Sequence, residues 1–147
     1  VSWSRGLGDV YKRQVQPILI GDGDVSGGLK AAEGAVDLLY GIGAAPEGVI
    51  TATAVKAMGG FFEGRLHFLD ESFKERALKM LGSDINNLWS VDDLCRSSDS
   101  FFIASGVCSG WIPGVKFDGN KAEVTSKIIF GDSSETQIIT NEYILGE

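Results

Sequence analysis

Three acids and one helix start are the parts of this sequence that could do chemistry. Asp22 and Asp24 flank Gly23 in the run Gly21-Asp22-Gly23-Asp24, and Glu47 follows Pro46 after the glycine-bearing stretch Gly41-Ile42-Gly43-Ala44-Ala45. Two carboxylates at the end of an apolar run can accept hydrogen bonds from sugar hydroxyls or ligate a hard cation through oxygen. They also have a purely local use: Asp24 could cap a helix beginning near Val25, and Asp22 could make an Asx-turn. Glu47 carries the same ambiguity. A helix start offers open N–H groups and a positive dipole end that attract anions such as phosphate. Glu47 there could hold a metal ion beside the anion, or simply complement the dipole. Ala45, just before the expected helix, has no side-chain oxygen for the first-turn donors, which leaves them to water or a ligand.

The elements that must position these groups follow from the apolar pattern. Val36, Leu38, Leu39 and Tyr40 show no alternation, as in a strand covered on both faces. Gly41 and Gly43 permit the turn, and Pro46 suits a first helical position, where its missing N–H is no loss. The helix from about Pro46 to Met58 has Lys56 as its only further charge; being apolar nearly all round, it should be buried and hold its N-terminus rigidly. Upstream, Gln16–Ile20 reads as another strand, with Pro17 at its start or on an edge. Val25–Ala32 reads as a helix weakened by Gly27 and Gly28. Strand, helix, strand, helix makes a right-handed βαβ unit. Parallel neighbours would bring Asp22, Asp24 and Glu47 to one sheet rim, where open α/β sheets bind ligands.

The remainder supplies framework. Gly59-Gly60 stops the buried helix, and Phe61–Phe68 reads as a strand carrying His67, the single histidine, expected to be packed or solvated and not catalytic. Ser72 with Glu75 predicts a capping box for a surface helix Phe73–Leu81, with Phe73, Ala77, Met80 and Leu81 inward and a Glu75/Lys79 pair outward. Ser90 with Asp93 predicts a second box before a short helix through Arg96. Phe101–Gly106 reads as a strand, and Trp111, Pro113 and Gly114 mark a loop. Glu123–Phe130 and Glu135–Leu145 form a hairpin about Gly131-Asp132-Ser133-Ser134. The expected class is α/β, a mixed sheet with flanking helices, parallel early and antiparallel late.

Length and composition bound the rest. The 147 residues suffice for one domain with a core. The first fourteen, VSWSRGLGDVYKRQ, do not join the pattern and resemble translated adapter read-through, so residues 1–14 are set aside as a non-native leader and 15–147 taken as the domain. The net charge is −7; without Arg5, Lys12, Arg13 and Asp9, ten basic and nineteen acidic residues remain. That balance argues against nucleic acid or an anionic membrane as partner. No stretch is apolar for long enough to cross a bilayer and no secretory leader is visible, so a cytoplasmic location is the default expectation. Cys95 and Cys108 have neither metal spacing nor a disulfide framework, and both are expected reduced and partly buried.

DGDV at Asp22–Val25, followed at matching separation by LYGIGAAPEGV at Leu39–Val49, resembles the C-terminal half of class II fructose-1,6-bisphosphatase, a relative of the lithium-sensitive sugar and inositol phosphatases. The similarity runs from about Ile18 to Leu145, through GGFFEGRL at Gly59–Leu66, the FIASGV strand and the closing hairpin. It implies an αβαβα layered fold, a homo-oligomer in full-length form and metal-assisted hydrolysis of the 1-phosphate of fructose 1,6-bisphosphate, with sedoheptulose 1,7-bisphosphate a second substrate of some members. Through that resemblance Asp22, Gly23 and Asp24 contact the sugar bisphosphate, Ala44 makes a backbone contact where some members have glycine, and Glu47 ligates Mn2+ or Mg2+. The family's Asp-Pro-x-Glu-Gly-Thr motif, its other metal carboxylates and its phosphate-binding Lys and Arg residues have no counterpart here, so the chain alone is expected to be inactive. Ser133, Ser134, Glu135 and Gln137 also stand where relatives are often basic. Two rivals remain: a non-catalytic sugar-phosphate-binding module, and a nucleotide-binding βαβ domain, which lacks the Gly-x-Gly-x-x-Gly spacing.

Overall fold

A computed structural model describes residues 16–146; the leader set aside above lies outside them. The chain is α/β, with helices packed on an antiparallel sheet. Its elements are α1 (Asp24–Ala32), α2 (Ala45–Ala57), β1 (Glu63–Gly64), α3 (Glu71–Leu81), a 3-10 turn (Gly82–Asn86), β2 (Trp89–Ser90), α4 (Val91–Leu94), β3 (Phe101–Ser105), β4 (Lys116–Asp118), β5 (Lys121–Phe130) and β6 (Thr136–Ile144).

Strand β5 is the spine of the sheet. It pairs with β6 along one side, from Lys121 opposite Ile144 to Ile129 opposite Thr136, and on the other side with β3 and β4 in turn, Phe102 facing Ile129 and Phe117 facing Ala122. The hairpin about residues 131–134 thus forms as expected, and Ser134 enters the left-handed region at φ 54° to close it. A two-residue pairing, β1 with β2, makes a separate ribbon.

Helix α2 is the centre of the core. Its small residues Thr51, Ala52, Ala54 and Ala57 and its Val55 are all buried, and it packs against α1, α4, β3 and β5. Its end is a Schellman motif: Gly59, at φ 70°, donates to Lys56 O at 2.9 Å and Gly60 donates to Val55 O at 2.8 Å. The one cation on the helix is tied down as well. Lys56 Nζ reaches Cys95 O at 2.6 Å and Asp92 Oδ1 at 2.9 Å, joining α2 to both ends of α4.

Several expectations are corrected. Gln16–Ile20 and Val36–Tyr40 make no ladder with each other or with the sheet, so no parallel pair forms among the described residues; a strand exists only where a partner takes its hydrogen bonds. Phe61–Phe68 pairs only at Glu63–Gly64, and His67 is exposed. Asp70, not Ser72, caps α3: its Oδ1 accepts from Ser72 N at 2.9 Å and Phe73 N at 3.2 Å, which starts the helix two residues early. The face of α3 expected inward is open, with Phe73 53% and Met80 72% exposed, and Lys74 pairs with Glu71 in place of a Glu75/Lys79 pair. The box of Ser90 and Asp93 forms, but α4 ends at Leu94. Cys95 is buried, whereas Cys108 is exposed.

Candidate functional site

Gly23 begins the site. It takes φ 87° and ψ 40°, a left-handed conformation that glycine enters without steric penalty, and it stands at the N-cap of α1 with no side chain to cap with. Asp24 is therefore the first residue of α1 and not its cap, so its carboxylate is free of the helix start. Asp22 Oδ1 accepts from the adjacent Gly23 N at 2.7 Å, which fixes the loop without an Asx-turn.

The carboxylate of Asp24 turns across to the second loop. A methyl at Gly43 would run into Asp24 Oδ2, and would stand 3.4 Å from Asp24 Cγ and 3.7 Å from Glu47 Oε2. The Asp24 and Glu47 carboxylates thus both approach Gly43, and a side chain there would displace that of Asp24. The sheet rim expected to gather these acids is absent; instead the packing of α1 on α2, with Ile20 and Leu39 both lying against Gly27, brings Asp24 and Glu47 to Gly43, and Asp22 makes no hydrogen bond to either among the described residues. Gly43, where the two carboxylates approach, is a position that the sequence did not single out beyond its use in a turn. Its spacing from Glu47 was visible, but its closeness to Asp24 depends on how the helices pack.

Glu47 also organises its own helix start. Ala44, at the N-cap of α2, has only a methyl and so can contribute nothing as an acceptor, but Glu47 Oε2 accepts from Ala44 N at 3.1 Å. Half a capping box results. The Ala44 N–H is occupied, Glu47 Oε1 is uncommitted among the described residues, and no side chain takes the first-turn donors of α2. Pro46 is the second helical residue, one later than expected, where its lack of an N–H again removes a donor.

The electrostatics follow from what is missing nearby. Among the described residues, Asp22, Asp24 and Glu47 have no Lys or Arg partner in an ion pair. Uncompensated like charges attract a cation and would repel a phosphate unless a cation stood between. All donors are oxygen, which suits a hard divalent ion. Even so, no group of three or more His, Cys, Asp and Glu side chains able to hold a metal occurs among the described residues.

On the far side of Gly23 lies an open hollow of about 400 Å3, lined among others by Ser26, Leu29, Phe102, Ser105 and Trp111. Trp111, on its lining, belongs to a polar clasp. Trp111 Nε1 donates to Glu33 Oε2 at 2.7 Å, Lys127 Nζ pairs with Glu33 Oε1, and the same ammonium lies 4.4 Å from the centre of the Trp111 ring. Partial burial works against the charge of Glu33, but the hydrogen bonds from Lys127 and Trp111 and the pull of the ammonium together outweigh it and hold the carboxyl below its ordinary range. The clasp fastens the C-terminal end of α1 to the sheet, and so fixes the direction in which α1 presents Asp24.

Residues 8–143 match the model of a family described as bacterial fructose-1,6-bisphosphatase, glpX-encoded. The chain is 33% identical over 144 residues to the D-fructose 1,6-bisphosphatase class 2/sedoheptulose 1,7-bisphosphatase of Trichodesmium erythraeum, covering 88% of this chain and 42% of that protein. It is 33% identical over 153 residues to the fructose-1,6-bisphosphatase class 2 of Haemophilus influenzae, covering 94% and 46%. To the fructose-1,6-bisphosphatase 2 class 2 of Escherichia coli it is 32% identical over 152 residues, covering 92% and 47%. The chain therefore spans about half the length of these relatives. No helix among the described residues is long and apolar enough to cross a membrane. The family match takes in both glycine-rich loops, the two helices that carry them and the sheet that supports them, and it places this chain in the glpX-encoded, class 2 family of bacterial fructose-1,6-bisphosphatases.

Proposed function

We propose that this chain is the C-terminal half of a metal-dependent sugar-bisphosphate phosphatase that releases the 1-phosphate of fructose 1,6-bisphosphate, giving fructose 6-phosphate and phosphate, with sedoheptulose 1,7-bisphosphate as a second substrate. The observation that carries this reading is the meeting of Asp24 and Glu47 over Gly43, beside a helix start whose donors have no side-chain partner. In this reading residues 15–147 form the C-terminal domain, and the full-length enzyme is a cytoplasmic homo-oligomer.

Asp22, Gly23 and Asp24 bind the sugar, the carboxylates accepting from its hydroxyls. Ala44 offers its backbone N–H, and Glu47 is a ligand of Mn2+ or Mg2+. When bound, such ions polarise phosphoryl oxygens and lower the pKa of an attacking water. Glu47 Oε2 holds the Ala44 N–H, so a substrate oxygen gains that donor only when Glu47 turns away from it. The two roles are thereby exclusive in the free chain and compatible in the loaded site. The N-terminus of α2 faces negative charge developing on the phosphoryl group. With only part of a coordination shell in this half, the 147-residue chain alone is inactive.

The test is Glu47→Gln in a full-length enzyme built on this sequence. Gln keeps an oxygen for the Ala44 N–H but loses the charge. Turnover should fall by about tenfold to a hundredfold, with the Mn2+ titration shifted to higher concentration. An unchanged metal titration would remove Glu47 from the metal site. The rival reading, a non-catalytic module that binds sugar phosphate without metal, requires the isolated chain to bind fructose 1,6-bisphosphate in the presence of a chelator.

A further inference from the structure

The helix that carries Asp24 is gripped at its waist. Of the nine residues of α1, Gly28 and Leu29 are buried, and there the helix comes close to α2: a Cβ on Gly28 would stand 2.5 Å from Thr51 Cγ2. Asp24 stands five residues before Leu29 and Glu33 four after it, so at 1.5 Å per residue the two ends reach out from the grip by about 6–8 Å each. The N-terminal arm borders open space, because Val25 and Ser26 line the hollow together with residues 104–112. Nothing packs tightly there to stop the helix tilting. The C-terminal arm ends in Glu33, whose two carboxylate oxygens are taken by different elements: Oε1 by Lys127 of β5, and Oε2 by the indole N–H of Trp111 at 2.7 Å. Lys127 and Trp111 meet in turn, and Phe102 of β3 braces the Trp111 ring edge-on with 6.2 Å between ring centres. Each member of the triad thus holds the other two, which gives Glu33 one position against the sheet.

We infer that Glu33, Trp111 and Lys127 are positioning residues for sugar binding: α1 is a lever with Gly28 and Leu29 as its fulcrum, and the clasp at one end sets where Asp24 stands at the other. This rests on the reading of Asp24 as a sugar contact. The two arms are of similar length, so a displacement of Glu33 returns at Asp24 at nearly the same size. With the clasp open, α1 samples tilted positions and the competent one is occupied only part of the time. Affinity for the sugar then falls by that fraction, while the complex that does form is unaltered. Glu47, on α2, lies outside the lever, so metal binding is not touched. The signature of the clasp is therefore a change in KM without a change in kcat.

Lys127→Met opens the clasp, and Lys127→Arg is the control that keeps both the charge and a cation over the Trp111 ring. In the 147-residue chain, Lys127→Met should speed amide exchange across residues 27–33 by about twofold to fivefold, the factor that a partly exposed ion pair can carry, while α2 and the ladder of β5 with β6 keep their rates. Lys127→Arg should return α1 to its original rate. In the full-length enzyme built on this sequence, Lys127→Met should raise KM for fructose 1,6-bisphosphate by the same factor, with kcat and the Mn2+ titration unchanged and with Lys127→Arg restoring KM. If Lys127→Met does not fold, Trp111→Phe, which removes the N–H donor and keeps an aromatic ring, provides the same two readings. Exchange that speeds equally in α2 and β5 would make the clasp a general stabiliser, and a loosened α1 with an unchanged KM would mean that this helix end does not steer Asp24; either result overturns the assignment. The two proposals fail separately. Absence of turnover in the unsubstituted full-length enzyme defeats the phosphatase reading and leaves exchange in α1 to judge the lever, whereas turnover with unaltered exchange and KM in Lys127→Met defeats the lever alone.

Discussion

Gly43→Ala is the most informative substitution available, because it should leave stability almost unchanged while lowering function. Gly43 does not need a left-handed backbone, so alanine brings no φ strain. Restricting the unfolded chain should stabilise by about 0.4–1 kcal/mol. Against this, the new methyl occupies the place of Asp24 Oδ2, while it would touch Glu47 Oε2 only at ordinary contact distance, 3.7 Å. Asp24 can escape only by rotating to a poorer side-chain torsion, at about 0.5–1.5 kcal/mol. The two effects nearly cancel, so the melting temperature of the 147-residue chain should move by no more than about 2–4 °C. The site does not recover in the same way. A shift of about 1 Å in a positioning group can lower turnover about a hundredfold, equivalent to about 2.7 kcal/mol of transition-state stabilisation. Thermal denaturation of the chain and kcat/KM of the full-length enzyme are the two assays. Full activity with alanine at 43 would refute the view that Asp24 and Glu47 must approach each other there.

Three further outcomes test the framework. Gly28→Ala should destabilise by about 1–3 kcal/mol, because its Cβ would lie 2.5 Å from Cγ2 of the buried, stiff Thr51, whereas Gly27→Ala meets only the flexible tips of Ile20 and Leu39 and should be close to neutral; chemical denaturation of both distinguishes them. A double-mutant cycle on Glu33→Gln and Lys127→Met should give a coupling of about 0.5–1 kcal/mol at neutral pH, discounted for solvent at the rim of the clasp. Because the Glu33 carboxyl is held below its ordinary value of 4.5, that coupling is fully present above 4.5 and disappears as the pH falls through the folded value; a coupling that grows on acidification would contradict the assignment. Asp70→Ala should fray the first turn of α3, seen as faster exchange at Ser72 and Phe73, whereas Asp70→Asn should retain most of the cap.

The parts of this fold visible in the sequence are those fixed by local rules. Helix α2 announces itself through a long apolar run entered by Pro46 and left through Gly59-Gly60, and the hairpin of β5 and β6 through two β-type runs about a polar turn. The cap of α3 shows where local rules compete: Ser72 with Glu75 and Asp70 two residues earlier are both legitimate starts, and a carboxylate that can take two N–H groups at once wins. Pairing is less legible. Residues 16–20 and 36–40 carry the composition of strands, yet a strand also needs a neighbour that its own sequence does not encode. The acids of the candidate site were identifiable by type and spacing, but their meeting at Gly43 depends on the angle at which α1 crosses α2. The clasp was invisible for a related reason. Trp111 and Lys127 lie 78 and 94 residues from Glu33, and no short-range pattern connects them.

The buried face of helix α2 is built from small side chains, Ala52, Ala54 and Ala57 with Thr51 and Val55. Such a rod has no long side chains whose rotation could absorb a disturbance, so displacement at one end travels along its axis to the other. Ala54→Val or Ala57→Val, about two and three turns along the helix from Glu47, would thus be registered there. Loss-of-function changes in this family should accumulate along that inert-looking rod, and be sparse on the exposed helix α3, whose variation the rest of the molecule does not feel.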